Sequence, residues 1–240
     1  MRVGLFIPCY VDQFYPEVGK ATLELLEKYG IEVIYPTSQT CCGQPMANSG
    51  YERYGKESAE LFLKNFGEFQ YIVAPSGSCT LHVKEHILSE SKGAPKIYEL
   101  CEFLTDVLKV DSVSSSFPYK VGFHSSCHGL RGLRLGKCSE RMDPEFNKPL
   151  SLLQKVKGIQ MVELDRKDEC CGFGGTFAVA EEAVSITMGN DRIEDHQRNG
   201  VEVMTGADMS CLMHLQGLLK RQKSPIKVMH IAEILNGNKV

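Results

Sequence analysis

The chain is written twice, and that duplication limits the folds open to it. Residues 3–9, Val-Gly-Leu-Phe-Ile-Pro-Cys, align with residues 121–127, Val-Gly-Phe-His-Ser-Ser-Cys. Cys41-Cys42-Gly43 aligns with Cys170-Cys171-Gly172, and Ser78-Cys79 with Ser210-Cys211. Residues 96–104 align with 227–235. Four matches in one order define two repeats, 1–113 and 118–240, separated by a polar, serine-rich stretch at 111–118 that reads as a linker.

Each repeat alternates strand and helix signals. Apolar runs at 3–8, 31–35 and 71–75 read as buried strands. Val18, Thr22, Leu25 and Tyr29 recur at helical spacing, and Gly30 stands where a helix is closed. A second helix is expected over 51–66, and a third after Cys79, carrying Leu81 and His82. The second repeat follows the same order, with its longest helix over 176–199, closed by Gly200. Strands alternating with helices imply parallel sheets covered on both faces. The expected fold is α/β: two small parallel-sheet units related by a pseudo-twofold, with cysteine loops at the C-terminal ends of the strands. That edge is where open α/β sheets bind ligands.

Ten cysteines in 240 residues need a purpose. The net charge of −3 offers no broad basic field for nucleic acid. No apolar run approaches the roughly 20 residues that span a bilayer. The apolar start of the chain stops at Pro8-Cys9 and Asp12 follows, so it reads as a strand rather than a leader. A cytoplasmic location is therefore expected, where disulfides are rare and cysteines act as ligands, redox groups or core residues.

Two matched sets stand out: Cys9, Cys41, Cys42 and Cys79 in the first repeat, and Cys127, Cys170, Cys171 and Cys211 in the second. Four thiolates suit one iron–sulfur cube, and adjacent cysteines can reach two different irons. The competing reading is that they are buried thiols, which a single pair would fit as well but two sets in matching order do not. Zinc is the other competitor. The Cys-x2–4-Cys spacing common in structural zinc sites is absent, yet zinc can enter one set. Cys101 aligns with Ala232 and Cys138 has no counterpart, so both read as core or surface thiols. His124 and His128 flank Cys127 and suit hydrogen bonding to ligands or proton handling. His82, His86, His196, His214 and His230 read as structural. Arg131 and Arg134 lie in a glycine-rich run that matches no phosphate-binding fingerprint and reads as a solvated basic face. No Gly-x-Gly-x-x-Gly occurs for a nicotinamide or flavin.

The doubled Cys…Cys-Cys-Gly…Cys pattern resembles the cysteine-rich CCG family, which includes the cysteine-rich subunit of heterodisulfide reductase and the iron–sulfur subunits of glycolate oxidase and of lactate oxidation. The stretches Cys41-Cys42-Gly43-Gln44-Pro45, His124-Ser125-Ser126-Cys127-His128, Cys170-Cys171-Gly172-Phe173-Gly174-Gly175 and Cys211-Leu212-Met213-His214 look most like the lactate-oxidation branch. The resemblance covers nearly the whole chain. It implies an iron–sulfur electron-transfer subunit, not active alone, of a complex oxidising L-lactate to pyruvate. It implies [4Fe–4S] clusters, one or two per chain, and two partners: a ferredoxin-type iron–sulfur subunit and a third small subunit. The alternatives are the corresponding subunit of a glycolate oxidase or heterodisulfide reductase-type complex, and, in another class, a zinc-bound or metal-free interaction subunit. The sequence departs from the reductase pattern once in each repeat. Where that pattern begins its last Cys-x-x-Cys, this chain has Ser76 and Asp208. Four thiols per repeat remain, enough for a cube but not for the reductase's five-cysteine non-cubane cluster. Asp208 is a candidate oxygen ligand and Ser76 a poorer one.

Overall fold

The computed structural model describes residues 1–89 and 95–240. Two four-stranded sheets form, one per repeat. The first contains β1 (Arg2–Leu5), β2 (Glu32–Ile34), β3 (Tyr71–Ala74) and β4 (Lys96–Glu99), in the order β2-β1-β3-β4. The second contains β5 (Lys120–His124), β6 (Gln160–Val162), β7 (Val203–Gly206) and β8 (Lys227–His230), in the order β6-β5-β7-β8. Every pairing is parallel. The registers correspond as the repeat requires: Val3 faces Tyr71 as Val121 faces Val203. The expected α/β fold of two repeated parallel-sheet units is therefore the one observed.

The strands are short and apolar because both faces are covered. β3 and β7 are buried almost throughout. The helix Pro16–Lys28 sets Val18, Ala21, Leu25 and Leu26 into the core, and its buried Thr22 satisfies its hydroxyl on the Val18 carbonyl at 2.7 Å. Gly4 and Gly122, equivalent in the two strands, let a ring approach the sheet. A Cβ at Gly4 would meet Phe66 and Phe69 at 3.0 Å, and one at Gly122 would meet His196 at 2.7 Å.

The halves are joined reciprocally. The short helix that follows β4, Leu100–Glu102, packs on Lys148–Leu153, the helix between β5 and β6. The helix that follows β8, Ile231–Asn236, packs on Pro16–Lys28, the helix between β1 and β2. Asn236 anchors that contact, accepting from Lys28 Nζ at 2.6 Å and donating to Glu24 at 2.7 Å. The two contacts are equivalent across a pseudo-dyad, each element meeting the counterpart of its own partner, as in an isologous dimer. One apolar core accordingly runs through both halves, from Val3 to Leu235, while a smaller aromatic cluster of Phe6, Phe62 and Phe66 stays within the first.

Two local expectations need correction. The segment 111–118 is docked rather than loose: Phe117 is buried, and its amide donates to the Lys157 carbonyl at 2.9 Å. Hydrophobic anchoring at Phe117 outweighs the serines around it. The helix expected over 176–199 is two helices, Phe177–Ala180 and Glu182–Arg198, broken at Glu181, whose backbone leaves the helical region (φ −122°, ψ 49°). Val179 in the first piece is exposed, so no packing holds that turn in line with the next.

Candidate metal centre

All eight cysteines of the two sets line one cavity of about 250 Å³ between the halves. The vicinal pairs lie on loops beyond β2 and β6, but the expected cysteine loops elsewhere are helix starts: Cys9, Cys79, Cys127 and Cys211 sit in the first turns of the helices that follow β1, β3, β5 and β7. The pseudo-dyad turns the two sheet edges toward each other. The sequence placed each set at its own sheet edge; the shared cavity follows from the reciprocal packing of the halves, which the pattern of residues does not encode.

Each set has the same internal order. Cys9 Sγ lies 3.8 Å from Cys41 Sγ, Cys41 contacts Cys42, and Cys42 contacts Cys79. In the second half Cys127 meets Cys170, Cys170 meets Cys171, and Cys171 meets Cys211. The Gly43 amide points at Cys41 Sγ and the Gly172 amide at Cys170 Sγ, each at 3.4 Å. Hydrogen bonds from two neighbouring thiols push Cys41 and Cys170 well below the usual thiol range. The same bonds, with burial, push Cys9, Cys42, Cys127 and Cys171 up. In each set one thiol, Cys41 or Cys170, thus ionises readily, while the two thiols bonded to it resist ionisation. Full deprotonation calls for cationic charge among the sulfurs, which a metal or a cluster supplies. On the chemistry of its donors the site fits a thiolate-ligated group.

The vicinal pairs are held by different devices. In the first half the Gln39 side chain ties the loop to the end of β1, accepting from the Ile7 amide at 2.7 Å and donating to the Leu5 carbonyl at 3.2 Å. In the second, Asp195 accepts from the Asp165 and Arg166 amides at 3.1 Å and from buried Arg192 at 2.9 Å. His82 and His214 are equivalent, three residues after Cys79 and Cys211. The His82 ring reaches the Cys42 carbonyl, and the His214 ring reaches those of Cys171 and Ser185. This shared task was not expected of either histidine, although Cys-x-x-His recurs in both repeats at the same place.

Other side chains close the cavity across the dyad. The Tyr10 and Phe173 rings meet edge to face at 6.0 Å, and Gln44 Nε2 lies 3.4 Å from His128 Nε2. Ser76 and Asp208 also line it and form an antiparallel bridge at the dyad. Asp208 is not free to act as an oxygen ligand. Its Oδ1 accepts from the Ser210 amide and hydroxyl at 3.1 and 2.6 Å, and its Oδ2 accepts from the Ser78 amide at 2.7 Å. Ser76 is likewise committed, accepting from the Cys79 amide at 3.3 Å. Cys101 and Cys138 are buried and lie off the cavity lining, and Arg131 is paired with Glu140 and Asp168.

A family model described as a cysteine-rich domain, CCG, matches residues 3–84 and 121–216. Lactate utilization protein A from Halalkalibacterium halodurans is 44% identical over 98% of this chain and 97% of its own length. The protein of the same name from Bacillus subtilis is 43% identical over 98% of this chain and 99% of its own. Among solved structures, glutamate racemase RacE1 from Bacillus anthracis matches with a TM-score of 0.37 and 12% identity, over 98% of this chain and 78% of that one, a likeness too loose to bear on chemistry.

Proposed function

The chain belongs to the cysteine-rich CCG family, and from that membership we propose that it is the iron–sulfur, electron-carrying subunit of a complex that oxidises L-lactate to pyruvate. The observation that carries the reading is the meeting of two four-thiol sets on one cavity. Cys9, Cys41, Cys42 and Cys79 would hold one [4Fe–4S] cluster, and Cys127, Cys170, Cys171 and Cys211 a second. Such clusters supply one-electron transfer when bound. The chain's own contribution is to fix the thiols on loops and helix first turns, to aim the Gly43 and Gly172 amides at sulfur, and to limit solvent by burying Cys42 and Cys171.

Lactate oxidation removes a hydride equivalent, a step that generally belongs to an organic cofactor. The sequence carries no dinucleotide fingerprint, so this step is assigned to a partner, with a ferredoxin-type iron–sulfur subunit and a third small subunit completing the complex. No helix among the described residues is long and apolar enough to cross a membrane. The test is anaerobic purification with iron, sulfide and zinc analysis, followed by lactate oxidation with an artificial acceptor, alone and with the partner subunits. Brown protein that is inactive alone and active with partners is the expected result. Colourless protein without iron after reconstitution, or turnover by this chain alone, would overturn it.

A second reading for the first set, a structural zinc, is compatible with one distance. Thiolates around a single tetrahedral zinc, at about 2.3 Å from the metal, lie about 3.8 Å apart, and Cys9 Sγ–Cys41 Sγ is 3.8 Å. A structural zinc there would leave redox work to the second set alone. Zinc at one equivalent in anaerobic protein, lost in Cys42→Ser and kept in Cys171→Ser, would establish it.

A further inference from the structure

The two cysteine sets differ at one inward position. The residue three before Cys9 is Phe6, and the equivalent residue before Cys127 is His124. Phe6 belongs to an apolar cluster, edge to face with Phe62 at 5.2 Å and with Phe66 at 5.7 Å. His124 stands at the end of β5, 1% exposed, and neither of its ring nitrogens has a hydrogen-bond partner. Buried imidazoles without a partner are rare, because each unpaired nitrogen forfeits its hydration with nothing in return. One ring nitrogen of His124, Cys171 Sγ and Cys211 Sγ all lie within 4.8 Å of one another.

We propose that His124 is a metal ligand of the second set, taking beside Cys171 and Cys211 one of the four ligand positions that an all-thiolate site would fill from sulfur, so that this half binds its metal through nitrogen as well as sulfur while the first half binds through sulfur alone. The inference rests on the reading that the second set holds a metal. Imidazole and thiolate are compatible donors for both iron and zinc. Imidazole binds a metal through a ring nitrogen with no other partner, and both ring nitrogens of His124 are free of one. The His124 backbone is fixed by pairing with Gly206 in the sheet, and the wholly buried Arg192–Asp195 ion pair belongs to the same half. Asp208, the carboxylate that also lines the cavity, is spent on the Ser210 and Ser78 amides. The consequence is two metal sites of unlike donor sets facing one cavity, and hence of unlike potential if both hold clusters.

The experiment is pulsed electron paramagnetic resonance on reduced, anaerobically reconstituted full-length protein carrying ¹⁵N-histidine, with X-ray absorption at the zinc edge if the second set holds zinc. Unsubstituted protein is expected to show a directly coupled histidine nitrogen, or a nitrogen scatterer in the zinc shell. That signal should vanish in His124→Ala and persist in His128→Ala and His214→Ala. Metal affinity of the second half should fall at least tenfold in His124→Ala, with the first half unaffected. A metal-loaded second set without histidine coupling in the unsubstituted protein would overturn the proposal, and needs no variant to fold. Coupling that survives in His124→Ala but not in His214→Ala would do the same. Absence of any metal that depends on Cys171 would instead overturn the reading beneath it.

Discussion

Ser76 Oγ lies 3.4 Å from Asp208 Oδ2, and the two residues are equivalents in the two repeats. Each also caps the helix that carries its own half's last cysteine: Ser76 serves Gly77–His82 through the Cys79 amide, and Asp208 serves Met209–Arg221 through the Ser210 amide. Serine and aspartate are favoured caps because a short side-chain oxygen reaches the unpaired amides of the first turn. The chain thus has capping residues at the two positions where the reductase pattern has a further thiol, and it joins them across the dyad.

The first prediction follows from that joint. Asp208→Ala removes a cap and leaves the buried Ser78 amide without an acceptor. It should destabilise the protein by about 2–4 kcal/mol, whereas Ser76→Ala should cost about 1 kcal/mol. Urea unfolding of both variants checks this, and equal small costs would show that the dyad contact contributes nothing.

The second concerns which thiols hold metal. Cys42→Ser and Cys171→Ser should each empty their own half while leaving the other loaded. Cys101→Ser and Cys138→Ser should retain full metal, since both thiols are buried away from the cavity. Metal analysis of the four proteins decides it. Loss in Cys101→Ser equal to that in Cys42→Ser would break the assignment.

The third separates two glycines that look alike in sequence. Gly43 and Gly172 both follow a cysteine pair with positive φ, +90° and +83°. A Cβ at Gly43 has no neighbour closer than 3.7 Å, whereas one at Gly172 would meet Met188 and the Ser185 carbonyl at 2.7 Å. Gly43→Ala should therefore cost only the conformational penalty, about 1–2 kcal/mol. Gly172→Ala adds a clash with a helix and should cost about 2–4 kcal/mol, with weaker metal binding in the second half. Parallel denaturation and metal titrations test it; equal losses would mean that the helix yields freely.

Much of this architecture was legible because duplication doubles every weak signal. A single run such as Tyr71–Ala74 could pass for part of a helix, but its equivalence to Val203–Gly206 makes both strands. The position of each cysteine past a strand end followed from the same alignment. What the sequence did not disclose is long-range. The cap and dyad roles of Ser76 and Asp208 depend on contacts between residues 132 apart, which no periodicity reports. The break at Glu181 also escaped, because helical propensity continues through it while tertiary support does not. The contrast between Phe6 and His124 was visible in the aligned repeats, but its meaning needed the unpaired nitrogens.

The last prediction concerns pH. Glu99 and His230 are equivalent residues at the ends of β4 and β8, and each caps the helix that follows. Glu99 is fully buried; its Oε2 accepts from the Cys101 and Glu102 amides at 2.7 and 3.2 Å, and its Oε1 has no partner. Burial outweighs those two bonds and pushes its carboxyl up to about 8 from an ordinary 4.5. The folded chain therefore holds a proton there that the unfolded chain releases, and stability falls as pH rises from about 4.5 to about 8. Burial acts oppositely on His196 and His230, pushing both down to about 4. The unfolded chain binds those protons first, so their effect is a gain in stability as pH rises from about 4 to about 6.5. The histidine contribution levels off only about one unit above pH 6.5, but it is shared by any Glu99 variant, so in a comparison of such a variant with the unsubstituted protein the Glu99 slope stands alone among these groups. Between pH 6.5 and 8 it should remove on the order of 2 kcal/mol. Glu99→Gln keeps an oxygen for the Cys101 amide and has no charge to bury. The stability of Glu99→Gln relative to the unsubstituted protein should therefore rise across that interval by a similar amount. Urea unfolding of the two proteins at pH 6.5 and pH 8 measures the difference, in which the shared cysteine titrations cancel. A difference that does not change with pH would mean that Glu99 is already ionised in the folded chain.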